Sequence, residues 1–261
     1  MVNSISFFTS LPEDINFKIA SLLQVRDLCA LGCSSKLWRQ VCFSDSIWHV
    51  LLTNRWPLFH SPLSPNLKTW RRLYFERHIE LGLRAGSVER FLKACSRKES
   101  LEVGDYLQAF EIINGARFGF EDIQRFLFKP EMNVLVNLVG VHYCITNLGI
   151  QGDNLVEVLR TCEISNRHVC VKWWKLGRWI YGYRGRDELL FRWVSLADLT
   201  AEENEFVLGV LRRGTVLEVL RVQISAVGHK SINTLVLSGC PVIGIAEGKS
   251  TIHVNIYQHQ L

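Results

Sequence analysis

Residues 11 to 41, LPEDINFKIASLLQVRDLCALGCSSKLWRQV, constrain the fold more than any other stretch of the chain. Their apolar residues keep a helical period that breaks twice, so the segment reads as several short helices in close succession. Pro12 suits a first helical turn, where the missing amide hydrogen would have no partner anyway. Glu13 and Asp14 follow at the positive end of the helix dipole. Ile15, Ile19, Leu22 and Leu23 then stand at offsets 0, 4, 7 and 8, which is one face of a helix. A second helix is expected from Asp27, carrying Leu28 and Leu31 and ending at Gly32. Ser34 or Ser35 caps a third with Leu37, Trp38 and Val41, and Trp48, Leu51 and Leu52 continue the apolar pattern in a fourth.

A unit of about forty residues cannot bury so much apolar surface unaided, and needs a staple or a partner. The eight cysteines include no C-x-x-C pair, so a zinc staple has no support. The N-terminus lacks the layout of a signal peptide, so the thiols are expected reduced, in the cytoplasm or nucleus, packing as small hydrophobes. Each buried leucine or isoleucine contributes about 1.5–3 kcal/mol, and several left exposed would form an aggregation-prone patch. Part of this surface is therefore expected to meet another chain.

Leu11-Pro12, then Ile15, Ile19, Leu22-Leu23, Asp27-Leu28, Leu31, CSSKLW and Trp48, in that order and spacing, resemble an F-box. Gly32 and Cys33 depart from the usual pattern, where a larger aliphatic is common, and Ser34-Ser35 adds a serine. The resemblance covers residues 11 to about 52, a fifth of the chain. It implies a non-catalytic, substrate-recognition subunit of an SCF-type ubiquitin ligase. Such a subunit docks a Skp-type adaptor, and through it a cullin and a RING-finger protein, and uses no cofactor. The adaptor-binding residues implied are Leu11, Pro12, Ile15, Ile19, Leu22, Leu23, Leu28, Leu31, Trp38 and Trp48.

Beyond residue 56, the stretch PLFHSPLSPN breaks helices and marks a linker at residues 57–65. Residues 66–130 read as a helical spacer. Trp70, Leu73 and Tyr74 fall on one stripe, and shorter pieces follow at 88–95, 106–113 and 121–128. Residues 68–98 carry 9 basic and 3 acidic side chains, so much of the positive charge sits here. After Pro130 the chain turns β-rich. NVLVNLV, VHYCITNLGI, HVCVKWW, RWIYGYR, ELLFRWVSL, VLEVLRVQIS and TIHVNIY read as strands, with helices at 155–162, capped by Asn154, and at 201–211. The uncharged runs 132–152 and 231–246 are interrupted by polar residues, glycine or proline; they read as buried strands and not as membrane spans. The fold class is α+β: an F-box at 1–56, the linker, the spacer, and a mainly antiparallel β domain at 131–261. No kelch, WD40 or leucine-rich period is visible. The β domain loosely resembles the idiosyncratic C-terminal domains of some plant F-box proteins, which names no target.

Residues 168–196 read as three antiparallel strands. Val169, Val171 and Trp173, then Trp179, Tyr181 and Tyr183, then Leu189, Phe191 and Trp193 would share the buried face. The opposite parity places Lys172, Trp174, Arg178, Arg184 and Arg192 on a basic face for an acidic or phosphorylated segment of the target protein. An ordinary solvated sheet face is the alternative. His168 and Cys170 share a parity that a cysteine–histidine nucleophile would need, but no catalytic motif accompanies them. Two other functions stay open: a small-molecule-gated or structural binding protein anchored by the F-box, and a β domain that binds nucleic acid, which the net charge of +5 only weakly favours.

Overall fold

The computed structural model describes residues 11–57, 69–96, 100–177, 179–181, 183–185, 187–201, 205–215 and 219–226, and the backbone of 252–255. Contacts divide the chain into two units, residues 1–80 and 81–261.

The first unit is helical. α1 (Glu13–Ser21), α2 (Val25–Gly32), α3 (Lys36–Cys42) and α4 (Asp45–Arg55) follow one another through tight turns. Ser35 caps α3, its Oγ accepting from Trp38 N at 3.3 Å. α2 begins two residues before Asp27, which takes a place in its first turn. α2 ends at Gly32, where space is short: a Cβ would lie 3.1 Å from Phe43 Cε1 and 3.3 Å from Cys42 Cβ. That crowding accounts for a glycine where the F-box pattern usually has a larger aliphatic.

α5 (Trp70–Cys95) contributes its first turns to this unit. The Asp45 carboxylate at the start of α4 accepts from Trp70 N at 3.1 Å. Trp48 is fully buried, its Nε1 donating to Cys42 O at 2.9 Å, and its ring packs on Tyr74 at 5.4 Å and Phe75 at 5.3 Å. The Arg71 guanidinium lies 4.0 Å from the Phe43 ring centre. The four short helices thus take part of their missing cover from their own chain.

The second unit is α+β. After the rest of α5 come β1 (Ser100–Glu102), α6 (Val103–Ala116), α7 (Phe120–Phe126), α8 (Val134–Thr146) and α9 (Gly152–Thr161). Then follow β2 (His168–Lys175), β3 (Trp179–Ile180), β4 (Tyr183–Arg184), β5 (Glu188–Ser195), α10 (Glu205–Arg213), β6 (Val219–Ala226) and β7 (Ile252–Asn255). The sheet is antiparallel throughout, in the order β1-β6-β2-β5-β7. Helices α6 and α8 pack against β6, and α8 also against β2. Phe206 of α10 meets Trp173 of β2 edge to face, the ring centres 5.7 Å apart.

Several expectations change. Residues 134–146 form α8, not strands. Every residue from Val134 to Cys144 is buried, so the helix lacks a solvated face, and its valines and leucines give it the composition of a buried strand. Asn133 starts it, Oδ1 accepting from Leu135 N at 2.9 Å. The pieces at 70–74 and 88–95 belong to the single helix α5. The 66–130 segment is not wholly helical, because Ser100–Glu102 pairs with β6 at the sheet edge. Gln151, not Asn154, precedes α9, and α10 begins at Glu205. The expected strand within 231–246 lies outside the described residues.

The three-strand reading of 168–196 is also corrected. β2 pairs directly with β5, and the stretch between them forms a separate two-stranded ribbon, β3–β4. Tyr181 and Tyr183 are exposed, not buried. The register sets Val169 opposite Val194, Val171 opposite Arg192 and Trp173 opposite Leu190. Opposed residues share a face, so Leu190, Arg192 and Val194 lie with the buried set. Leu189, Phe191 and Trp193 lie on the other face, with Lys172 and Trp174. An excursion of this length fixes a register that strand parity alone does not predict.

Candidate functional site

α1 is built inside out. It buries Asn16 and Ala20 and turns its larger aliphatics outward: Ile15 is 40% exposed, Ile19 37% and Leu22 79%. These three stand at offsets 0, 4 and 7, so they form one stripe along the helix. The entry to α1 is fixed by its own backbone. Pro12 O accepts from Ile15 N at 3.1 Å and from Asn16 N at 3.2 Å, and Asn16 Nδ2 donates back to Leu11 O at 3.3 Å. Leu11 and Pro12 are thereby held at the head of the stripe, Leu11 half-buried and Pro12 exposed.

The other residues implied for adaptor binding divide by burial. Leu23 and Leu31 are half-buried. Leu28, Trp38 and Trp48 are buried among the helices, where they shape the surface from beneath. Val50, 45% exposed on α4, is an apolar surface residue that the motif did not single out. It stands two places after Trp48, so helical geometry turns it away from that buried ring.

Of the set expected to bind a target, the described side chains do not share one face. Lys172 is exposed and Trp174 half-buried on one sheet face, with the Arg221 guanidinium 5.3 Å from the Trp174 ring centre. Arg221 is itself paired with Glu102 across β6 and β1, and that pairing holds the Glu102 carboxyl below its ordinary range. Arg192 belongs to the opposite face, and Arg178 and the Arg184 side chain lie outside what the structure describes.

His168 and Cys170 share a parity, but His168 is exposed and Cys170 is 3% exposed. Burial pushes the Cys170 thiol up, away from the thiolate a nucleophile needs. Among the described residues no group of three histidine, cysteine or acidic side chains is placed to hold a metal ion, and no helix is long and apolar enough to cross a membrane.

Among the described residues, two buried polar clusters carry no sequence motif. His142 of α8 is 1% exposed, its Nδ1 2.9 Å from the Tyr106 hydroxyl and its ring beside Phe110 at 4.7 Å. Burial, and secondarily the charge of Arg212, lower its pKa to about 4, so the ring is neutral. Asn137 donates to Leu127 O at 2.5 Å and accepts from Arg167, which also donates to Met132 O at 2.7 Å. These bonds tie the turn before α8 to the chain entering β2. They serve packing.

Comparison with known proteins bears on the first unit. Residues 8–54 match the family model described as F-box-like. Over 50 residues the chain is 38% identical to an F-box protein of Arabidopsis thaliana, a match covering 19% of this chain and 12% of that protein. No solved structure matches.

Proposed function

From the F-box-like domain at residues 8–54, we propose that the chain is the substrate-recognition subunit of an SCF-type ubiquitin ligase. It docks a Skp-type adaptor, and through it a cullin and a RING-finger protein, by way of the α1 surface. The observation that carries this reading is the reversed amphipathicity of α1, with Ile15, Ile19 and Leu22 outward and Asn16 inward. A helix in a self-sufficient domain buries its aliphatic stripe. One that exposes it, with its entry held by Pro12 and Asn16, is shaped to bury it against a partner. Leu11, Pro12, Leu23 and Leu31 extend that contact, while Leu28, Trp38 and Trp48 support it from the core.

The second unit holds the target. It contributes no chemistry of its own, since bringing a target close to the transferring enzyme is what ubiquitin transfer requires. The unpaired thiols among the described cysteines suit the reducing cytoplasm or nucleus. The test is affinity capture of the full chain while the proteasome is blocked, beside a variant with Leu11→Ala and Pro12→Ala. The intact chain should recover adaptor, cullin and RING-finger protein, and the variant should lose all three together. Equal recovery by both would refute the assignment.

A further inference from the structure

The ribbon between β2 and β5 is a defined projection. Its base is closed where Gly177 N donates to the Asp187 carboxylate at 2.9 Å, and its two strands pair Trp179 with Arg184 and Ile180 with Tyr183. At its end Tyr181 is 97% exposed and Tyr183 81% exposed. Tyr181 also has φ +51°, in the left-handed region. A two-residue hairpin turn commonly needs positive φ, but glycine or asparagine supplies it at less cost than tyrosine. Tyr181 repays that cost with no packing, since nearly all of it is in water. Fold stability therefore explains neither the choice of residue at 181 nor the second bare tyrosine at 183.

Contact with another molecule does explain them. Tyrosine carries much apolar area with little rotamer entropy and a hydroxyl at its tip, which makes it a frequent interface anchor. The charge of the segment indicates the partner. Residues 175–188 contain four basic side chains, Lys175, Arg178, Arg184 and Arg186, against Asp187 and Glu188, and Asp187 serves the base of the ribbon. We propose that the β3–β4 ribbon is the target-gripping element of the receptor, with Tyr181 and Tyr183 as anchors for an acidic segment of the target protein. This rests on the receptor reading above and replaces the sheet face expected from sequence.

The probe is a phage-displayed library of random twelve-residue peptides, selected on the immobilised full chain. A second arm measures retention of a fluorescent twenty-nucleotide oligothymidylate. Selection should enrich peptides rich in Asp and Glu. One of these, synthesised, should bind at least tenfold more weakly to a Tyr181→Ser, Tyr183→Ser variant, with adaptor binding and thermal melting unchanged. Tyr181→Gly alone should weaken the peptide while leaving the turn at least as stable, which separates contact from folding. Unchanged peptide binding by the double variant, or no acidic bias in the selection, overturns the proposal, as does tighter retention of the oligonucleotide than of any selected peptide. Failure of the intact chain to bind a Skp-type adaptor would instead count against the receptor reading and leave the peptide result standing.

Discussion

At the scale of single residues, His142 couples the fold to pH. Its neutral ring is held between the Tyr106 hydroxyl and Phe110, and among the described residues its Nε2 has no hydrogen-bond partner. Protonation would place an uncompensated charge in the core. Its pKa is lowered from 6.5 to about 4, so as pH falls below 6.5 the unfolded chain takes up a proton that the folded chain refuses. Stability is whole above 6.5 and falls by about 3 kcal/mol on approaching pH 4. Urea melts of the full chain at pH 7 and pH 4.5 should show this loss, and His142→Gln should flatten it relative to the parent. The same slope in both proteins would assign the effect to carboxylates elsewhere. Nothing in the sequence around His142 announces this role, because its partner Tyr106 lies 36 residues away. The outward stripe of α1 was legible at this scale. Ile15, Ile19 and Leu22 declare a helical face by spacing alone, and the lack of any staple argues that it meets another chain.

At the scale of elements, α8 shows why sequence and structure part. A helix buried from Val134 to Cys144 has no solvated side, so it lacks the periodicity that separates helix from strand, and its valines favour the wrong reading. Its tight fit makes a prediction. A Cβ on Gly140 would lie 2.8 Å from Phe128 Cε1 and 3.2 Å from Ile123 Cγ2. Gly140→Ala should therefore destabilise the chain by about 1–3 kcal/mol, although alanine is the better helix former. A denaturant midpoint at or above the parent's would show that Phe128 gives way freely. The strands β2, β5 and β6 were legible from their β-branched and aromatic runs, whereas the face each residue occupies was not. The ribbon between β2 and β5 moves Arg192 to the face of Val171 and Trp193 to the face of Lys172. The same excursion, which sets Arg192 on the face opposite Lys172, carries the exposed Tyr181 and Tyr183.

For the molecule as a whole, the two units differ in how much their sequences disclose. The first unit repeats a shared pattern, and several of its local signals agree with the fold: the Ser35 cap, Gly32 at the helix end, and Trp48 in the core. In the second, strand Ser100–Glu102 finds its partner more than a hundred residues later, in Gln223–Ser225, a pairing no local pattern encodes. If the α1 surface docks a Skp-type adaptor, calorimetric titration of purified adaptor into the full chain will register it. The parent should bind, and Ile15→Asp with Leu22→Asp should weaken binding about a hundredfold or more, since a charge set into each of two apolar anchors costs upward of about 1.4 kcal/mol apiece. Both residues are exposed in the free chain, so its thermal melting should not change. Equal affinity in parent and variant, with both folded, would rule out docking through α1.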